Sequence, residues 1–321
     1  MQRRPLIIAT LLSTLFASTA MAQTYPDRPI KLIVPYAAGG SADIAARMVT
    51  DAWGKALGGT VIVENKGGAG GNLGVDVVAK SAPDGYTLGL QTVSLAINPT
   101  LTAKMPYDTL KDLAPIGMVA SSQHVLVVND KLPAKDVKAL IALLKAEPGK
   151  HTYGSAGAGS TFHMSAELFK AVAGVSILHI PYRGGGPALV DTISGQVDMS
   201  FPVLSAAQPH VQSGKLRALG VTGAKRSALL PNVPTIAEAG LPNYSFETWF
   251  IVFAPAATPK AVVDKLNTAL NQALATPALQ ERMTRDGFDP IPSTPAQAKN
   301  RLEQEMQQWA KLIKERGIKA D

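Results

Sequence analysis

Four glycine-rich turns, each placed between a short apolar strand and a helix, are the residues with the clearest chemical potential in this chain. A helix begins with backbone N–H groups that lack acceptors and with the positive end of its dipole, so it attracts anions. Glycine has no Cβ and lets a ligand approach those groups closely. The pattern therefore predicts a protein that binds a small anion. The first to fourth glycine turns, as we call them, span residues 37–43, 67–71, 157–161 and 184–186.

The turns do not match the patterns of nucleotide-binding or hydrolytic enzymes. None of them reads G-x-G-x-x-G or G-x-x-x-x-G-K-[ST]. Tyr153 stands where the nucleophile motif G-x-S-x-G would need a glycine before Ser155. His163 lies too close to Ser160 along the same helix start for a catalytic triad. Binding is therefore favoured over catalysis, and the alternative is an exported α/β enzyme with Asp43 or His163 as its base.

Composition excludes several kinds of site. The 321 residues include no cysteine, so disulfides, Cys-ligated metals and a lipoprotein anchor are excluded. The net charge of +7 is not concentrated in basic clusters with interleaved aromatics, so nucleic acid is not an expected partner. We expect no metal and no cofactor, because no histidine pair has a metal-binding spacing. The histidines are His124, His151, His163, His179 and His210.

The N-terminus has the features of a secretory signal peptide. Arg3 and Arg4 precede an apolar run at 6–17, and Ala20-Met21-Ala22 forms an A-x-A cleavage site. The run is shorter than the roughly 20 residues that span a membrane, and an uncleaved anchor is the alternative interpretation. Cleavage after residue 22 leaves 299 residues with a net charge of +5, because Arg3 and Arg4 are the only charged residues removed. We expect an exported protein.

Strand and helix patterns alternate along the mature chain and predict two α/β lobes. A polar connection at 121–124 separates the two runs of alternation, and we place the first lobe at 23–122 plus 226–321 and the second at 123–225. In open α/β sheets ligands bind outside the carboxyl ends of the strands, where all four turns lie. The predicted strands are 30–35, 61–64, 86–90, 151–154, 177–180, 197–201, 215–222 and 249–254. The predicted helices are 42–57, 73–82, 161–172, 187–194, 235–239, 260–275, 277–286 and 295–316.

Polar residues of the first and third turns have the types that cap helices. Ser41 and Asp43 are candidate N-caps in the first turn, as are Ser160 and Thr161 in the third. Capping alone would account for each residue taken singly. The glycine content of both turns exceeds what a cap requires, so their coincidence favours a binding role.

A few other side chains are candidates for the ligand. Arg183 can pair with a carboxylate or form a surface salt bridge, and Asp198 can contact a ligand or anchor a loop. The aromatic residues at strand ends either face a cleft or pack a core or hinge, and both alternatives stay open. These aromatic residues are Tyr36, Tyr182, Trp249 and Phe250.

Nine segments, in order along nearly the whole mature chain, resemble the solute-binding receptors of tripartite tricarboxylate transporters, the Bug-type proteins. The combination of the nine is specific, although each is short. They are YPDRPI at 25–30, VPYAAGGSAD at 34–43, ENKGGAGGN at 64–72, PDGYTL at 83–88, YGSAGAGS at 153–160, PYRGGGPAL at 181–189, GQVD at 195–198, PNVPTIAEAG at 231–240 and APAATP at 254–259.

The resemblance implies a periplasmic, two-lobe binding protein of the type II, Venus-flytrap kind, with the ligand cleft between the lobes. It implies a carboxylate ligand that the receptor delivers to the permease subunits of a membrane transporter. We expect this ligand to be a di- or tricarboxylate or an aromatic carboxylate. A sensor role with a signalling partner is the alternative to transport, and we expect a monomer. The ligand-binding residues that the resemblance implies are Tyr36, Gly39, Gly40, Ser41, Asp43, Gly159, Ser160, Thr161, Tyr182, Gly185 and Asp198.

One position departs from the pattern of this family. Phe250 follows Trp249, where many relatives have a small residue or glycine. We therefore add Trp249 and Phe250 to the candidate cleft residues and do not infer a citrate-like ligand. With Tyr36 nearby, the aromatic residues favour a flat or aromatic acid.

Overall fold

The computed structural model describes residues 25–182 and 184–318. The predicted signal peptide and Arg183 lie outside these residues. The strands are β1 Ile30–Val34, β2 Val61–Asn65, β3 Thr87–Thr92, β4 Leu113–Gln123, β5 Val125–Asn129, β6 Thr152–Ser155, β7 Leu178–Pro181, β8 Met199–Ser200, β9 Leu216–Val221, β10 Glu247–Pro255 and β11 Asp289–Pro290. The helices are α1 Ser41–Leu57, α2 Asn72–Ala79, α3 Ser94–Leu101, α4 Val137–Ala146, α5 Thr161–Ala173, α6 Gly185–Ser194, α7 Leu204–Gln212, α8 Lys260–Leu274, α9 Pro277–Arg285 and α10 Pro295–Arg316.

Two mixed sheets form the two lobes of an α/β fold, which confirms the predicted architecture. The first sheet has six strands in the order β11-β4-β10-β3-β1-β2, and the second has five in the order β7-β6-β8-β5-β9. β1, β2 and β3 are mutually parallel, as are β6, β7 and β8. Their carboxyl ends therefore present the turns that follow them at one edge of each sheet.

Two expectations about local structure were wrong. The polar connection at 121–124 is not a loop, because β4 continues to Gln123 and only His124 separates it from β5. Ser121 and Ser122 are buried there and pair with β10. Residues 236–240 form turns rather than the predicted helix. Within the described residues, no helix combines the length and apolar character that crossing a bilayer requires.

Strand β10 separates two hydrophobic cores, because alternate side chains of a strand point to opposite faces. Trp249 and Ile251 belong to a core that continues into the second lobe, where it includes Leu126 and Phe169. Phe250 and Val252 belong to a second core, beneath α1 and α8. One core therefore joins the two lobes.

His124 occupies the crossing between the sheets and contacts both lobes. Its backbone N–H donates to Thr222 Oγ1 at 2.8 Å, so the crossing at His124 lies beside the segment that leaves the second sheet at Thr222. We call these two positions the hinge. The ring Nδ1 of His124 is 2.8 Å from the carbonyl of Phe201, and Nε2 is 2.8 Å from Thr248 Oγ1 of β10. The ring also meets Phe162 and Phe246 edge-on. His124 is therefore a buried connection between the hinge, β10 and the start of α5.

We expect His124 to make stability fall on acidification. Burial lowers the pKa of His124 to about 4, whereas unfolded histidine titrates near 6.5. The unfolded chain therefore binds a proton between those values that the folded chain does not, and the free energy of unfolding decreases as pH falls. The decrease attributable to this group is about 2 kcal/mol between pH 7.5 and 5.

Urea unfolding of the wild type and of His124→Gln across this pH range measures the contribution. The variant should lose less stability on acidification than the wild type does. His210→Gln, which lies outside the hinge, is the control and should retain the wild-type pH dependence. If the free energy of unfolding changed equally with pH in the wild type and in His124→Gln, the pH dependence could not be assigned to His124.

Candidate ligand-binding site

The first glycine turn connects β1 to α1 and is exposed from residue 37 to residue 40. Gly40 is the N-cap of α1, so the expectation that Ser41 or Asp43 caps this helix was wrong. Asp43 instead is the third residue of α1, and its Oδ2 accepts a hydrogen bond from the N–H of Gly39 at 2.9 Å. Gly39 has a φ of +83°, which strains any other residue. The carboxylate thus closes the turn onto the helix start.

Asp43 is held ionised by the groups around it. Its side chain accepts hydrogen bonds from Arg47 Nε and Asn65 Nδ2, each at 2.9 Å. Burial alone would raise the pKa of Asp43, but the hydrogen bonds from Arg47, Gly39 and Asn65 together hold it below the usual carboxyl value. Since Asn65 also donates to the carbonyl of Tyr36, this network attaches the first turn to β2.

The third glycine turn connects β6 to α5 and is constructed like the first glycine turn. Ser160 is the N-cap of α5, as predicted, and its Oγ accepts from the backbone N–H of His163 at 3.3 Å. Thr161 is the first helical residue and not a cap. The N–H of Gly159, whose φ is +72°, donates to His163 Nδ1 at 3.0 Å. An imidazole therefore closes this turn as a carboxylate closes the first.

Both helix starts keep backbone donors available for an anion. Within the described part of the chain, the N–H groups of Ser41, Ala42, Thr161 and Phe162 have no backbone or side-chain acceptor. These are the N–H groups that the first turn of a helix leaves unpaired. The N–H groups of Gly39 and Gly159 are used inside their turns, so these glycines shape the site instead of donating to a ligand.

The second turn lies against the first and rests on a buried polar network. Asn98 Nδ2 donates to the carbonyl of Gly70 at 3.0 Å and to Asn72 Oδ1 at 2.8 Å. A Cβ on Gly71 would lie 2.5 Å from Gln91 Nε2 and 3.3 Å from the hydroxyl of Tyr36. Gly71 therefore permits a close approach of this turn to β3.

Tyr36 follows β1 and is half-buried beneath the first and second turns. Its hydroxyl shares a hydrogen bond of 3.1 Å with Thr92 Oγ1. Burial raises the pKa of Tyr36 above its ordinary value, so the phenol stays neutral. The ring thus forms part of the floor between the two turns of the first lobe.

The fourth turn begins α6 and packs against the third. Gly184 is the N-cap of α6, and a Cβ on Gly185 would lie 2.6 Å from the ring of Phe162. The hydroxyl of Tyr182 donates to Asp191 Oδ2 at 2.7 Å, and burial, followed by the Asp191 carboxylate, raises the pKa of Tyr182 to about 12. Tyr182 therefore anchors the start of α6.

A contact across the lobes locates the cleft. A Cβ on Gly159 would lie 2.7 Å from Leu101 Cδ2, at the end of α3 in the first lobe. The third turn thus approaches the first lobe near the network that supports the second turn. The second turn adjoins this contact through Asn98, and the fourth adjoins the third through Phe162.

Trp249 and Phe250 do not face the cleft. Both side chains are completely buried, on opposite faces of β10. Trp249 Nε1 donates to Glu305 Oε1 of α10, and Phe250 packs against Phe288 with ring centroids 5.6 Å apart. The core alternative is therefore the correct one for these two residues, and the aromatic argument for a flat ligand loses its main support.

Asp198 lies at the opposite end of the second sheet from the turns. It precedes β8 and accepts hydrogen bonds from the N–H of Thr152 at 2.8 Å and from its hydroxyl at 3.1 Å. Thr152 is the first residue of β6, whereas the third turn follows the last. Asp198 therefore has a structural role at the start of β6 and does not lie beside the third glycine turn.

Sequence reasoning missed the role of His163 and the supporting residues Gln91, Asn98 and Leu101. The sequence does carry a pattern that indicates the role of His163. The first and third turns share G-[GS]-[ST]-x-[DH], at 39–43 and 159–163, so His163 occupies the position that corresponds to Asp43. The described residues contain no group of three His, Asp or Glu side chains placed to bind a metal ion.

The chain is similar to known proteins over most of its length. The profile of the family described as "Tripartite tricarboxylate transporter family receptor" matches residues 45–318. The chain belongs to the tripartite tricarboxylate transporter receptor family. Protein BugT of Bordetella pertussis is 41% identical over 305 residues, which cover 94% of each chain.

Two solved structures of this receptor family's fold were obtained with carboxylic acids. Rpa4515 of R. palustris, with adipate, has a TM-score of 0.84 and 35% identity, over 92% of this chain and 99% of that one. MatC of Rhodopseudomonas palustris, with bound malate, has a TM-score of 0.80 and 31% identity, over 90% and 100%. Further structural neighbours are described as periplasmic. The chain is thus a periplasmic solute-binding receptor of the tripartite family and not an enzyme.

Proposed function

We propose that this receptor captures a small dicarboxylate between the first and third glycine turns and delivers it to the permease subunits of a tripartite transporter. The observation that carries the proposal is the pair of matching helix starts, one from each lobe, each with unpaired backbone donors. A helix start favours a carboxylate through both its N–H groups and its dipole. From the two turns we retain Gly40, Ser41, Ser160 and Thr161 as ligand-binding residues. Gly39, Gly159 and Asp43 shape the turns, and Tyr36 forms the floor.

The ligands of two neighbours support the choice of a dicarboxylate. Adipate and malate, which accompany those proteins, both carry two carboxylates but differ in length. Backbone donors recognise a carboxylate without contacting what is attached to it, so a shared pair of helix starts suits acids of different length. Two helix starts from opposite lobes can each hold one carboxylate.

Capture follows from hinge closure of the two lobes. The strands of the second sheet all lie between 125 and 221, which supports the division into lobes at 23–122 plus 226–321 and 123–225. A ligand that contacts both turns stabilises the closed arrangement by its greater affinity for it. We propose that the receptor is exported through cleavage of residues 1–22 and acts as a monomer.

Isothermal titration of the purified mature chain against adipate, malate, citrate and benzoate tests the ligand class. We expect saturable binding of one of the dicarboxylates and weaker binding of benzoate. Protein unfolded and refolded before titration excludes occupancy by a co-purified acid. Failure of all four acids to bind refolded protein with native circular dichroism would contradict the proposal.

Delivery requires its own measurement. Proteoliposomes that contain the permease subunits should take up the bound acid only when the receptor is present on the outside. If uptake were equally fast without the receptor, the receptor would have no role in transport. A role as a ligand sensor would then be favoured.

A further inference from the structure

The first and third turns share one construction but differ in the group that closes them. In each, a glycine of positive φ precedes the N-cap and donates its N–H to the side chain four residues later. The acceptor is a carboxylate at Asp43 and an imidazole nitrogen at His163. A carboxylate accepts at all pH values above its own titration. An imidazole accepts only while that nitrogen carries no proton.

The surroundings of His163 restrict its protonation state. Its side chain is buried in the first turn of α5, where the positive end of the helix dipole opposes a cation. The ring stacks on His179 of β7 with centroids 4.3 Å apart, and on Tyr153 of β6 at 6.4 Å. On α5 itself, Glu167 accepts from the Tyr153 hydroxyl and pairs with Lys170.

We propose that His163 is a positioning residue of the third glycine turn, which it holds in the carboxylate-binding arrangement only as the neutral imidazole protonated at Nε2. The inference rests on the proposed function, in which this turn holds the carboxylate. A protonated ring cannot accept from Gly159 and is repelled by the helix start, so the turn detaches from α5 on acidification. The first turn keeps its closure, because Asp43 stays ionised over the same pH range. The receptor therefore releases its ligand when His163 becomes protonated, through the third turn alone.

The ligand-free mature chain tests the first part by nuclear magnetic resonance. At pH 7.5, long-range proton–nitrogen spectra should show His163 protonated at Nε2 and bare at Nδ1. The Gly159 amide should be protected from hydrogen exchange and should lose that protection as His163 titrates. A proton on Nδ1 at pH 7.5, or Gly159 protection that is independent of His163 titration, would overturn the proposal. Because no ligand is used, these results stand apart from any failure of the proposed function.

Two substitutions separate positioning from simple packing. His163→Asn retains a neutral acceptor, so affinity for the tightest-binding acid of the titration panel should stay within a few-fold and become nearly independent of pH between 7.5 and 5.5. His163→Leu fills similar space without an acceptor, so its affinity should be at least about tenfold below that of the wild type at pH 7.5, as the loss of one hydrogen bond implies. The difference should shrink as the wild-type His163 becomes protonated.

A third variant, His179→Phe, assigns the titration to one ring of the stacked pair. It keeps an aromatic neighbour for His163, so Gly159 protection should remain dependent on pH. Loss of that dependence in His179→Phe, with wild-type dependence in His163→Asn, would overturn the assignment to His163. Affinity that rises on acidification of the wild type would overturn the proposed direction.

Discussion

Thr161→Glu should abolish carboxylate binding without destabilising the receptor. Thr161 is the first helical residue of α5 and is partly exposed beside the unpaired N–H groups. A carboxylate here competes with the ligand for those donors and repels it. The same charge is favourable for the helix dipole and should add about 0.3–1 kcal/mol to the free energy of unfolding. Titration calorimetry should show affinity reduced at least about 100-fold, a cost of roughly 2.7 kcal/mol.

Thr161→Gln is the matched control, because glutamine has nearly the size of glutamate and no charge. Its affinity should lie much closer to that of the wild type, and its stability should show no gain from the dipole. Equal losses of affinity in the two variants would mean that bulk, and not charge, blocks the site. Full binding by Thr161→Glu would remove the start of α5 from the ligand site.

Asp43→Ala should destabilise the fold more than any change to an exposed ion pair of the same helix. The change removes the acceptor of two donors, the N–H of the exposed Gly39 and the amide of the partly buried Asn65. Loss of the charged acceptor of a partly buried hydrogen-bond network costs about 1–3 kcal/mol. Urea unfolding measures this loss, and the same sample should show weakened acid binding because the first turn loses its closure.

Asp51→Ala on the same helix provides the control. Asp51 pairs with Lys55 at 2.8 Å, but both side chains are more than three-quarters exposed. Such a pair contributes at most about 1 kcal/mol, so this variant should stay close to the wild type. A loss at Asp43 no larger than that at Asp51 would contradict the structural role of the network.

The contribution of Asp43 also has a defined pH dependence. Its folded pKa is lower than that of an unfolded aspartate, so its contribution is fully present above about pH 4. That contribution disappears as pH falls through the folded pKa. The difference in unfolding free energy between wild type and Asp43→Ala should therefore be constant from pH 7 to 5 and should shrink below 4.

Local patterns predicted the parallel strands and the turns that follow them. β1 and β2 read as short apolar runs, and glycine marks the turns after them, because both signals come from neighbouring residues. The crossing at Ser121, Ser122 and His124 was not predictable in this way. These polar residues are buried because β10 and Thr222, more than 90 positions later, supply partners.

In the candidate site, too, features set by neighbouring residues were predictable and features set by distant residues were not. Glycine content located the turns, and the spacing of Ser160 from α5 predicted its cap. The burial of Trp249 depends on Glu305 of α10, and the position of Asp198 depends on Thr152 at the start of β6. No pattern within a few residues of either side chain carries that information, so the sequence left their roles open.

The position of β10 between β3 and β4 has a consequence for the order in which the lobes form. The second sheet is complete once residue 221 is available, but the first stays divided until residues 247–255 arrive to join its halves. Pairing that awaits distant segments is slow, since the chain must close a long loop first. During synthesis the first lobe thus remains unformed until most of the polypeptide exists. A polypeptide that crosses a membrane as an extended thread benefits from such delay, because its central strand is among the last segments to emerge.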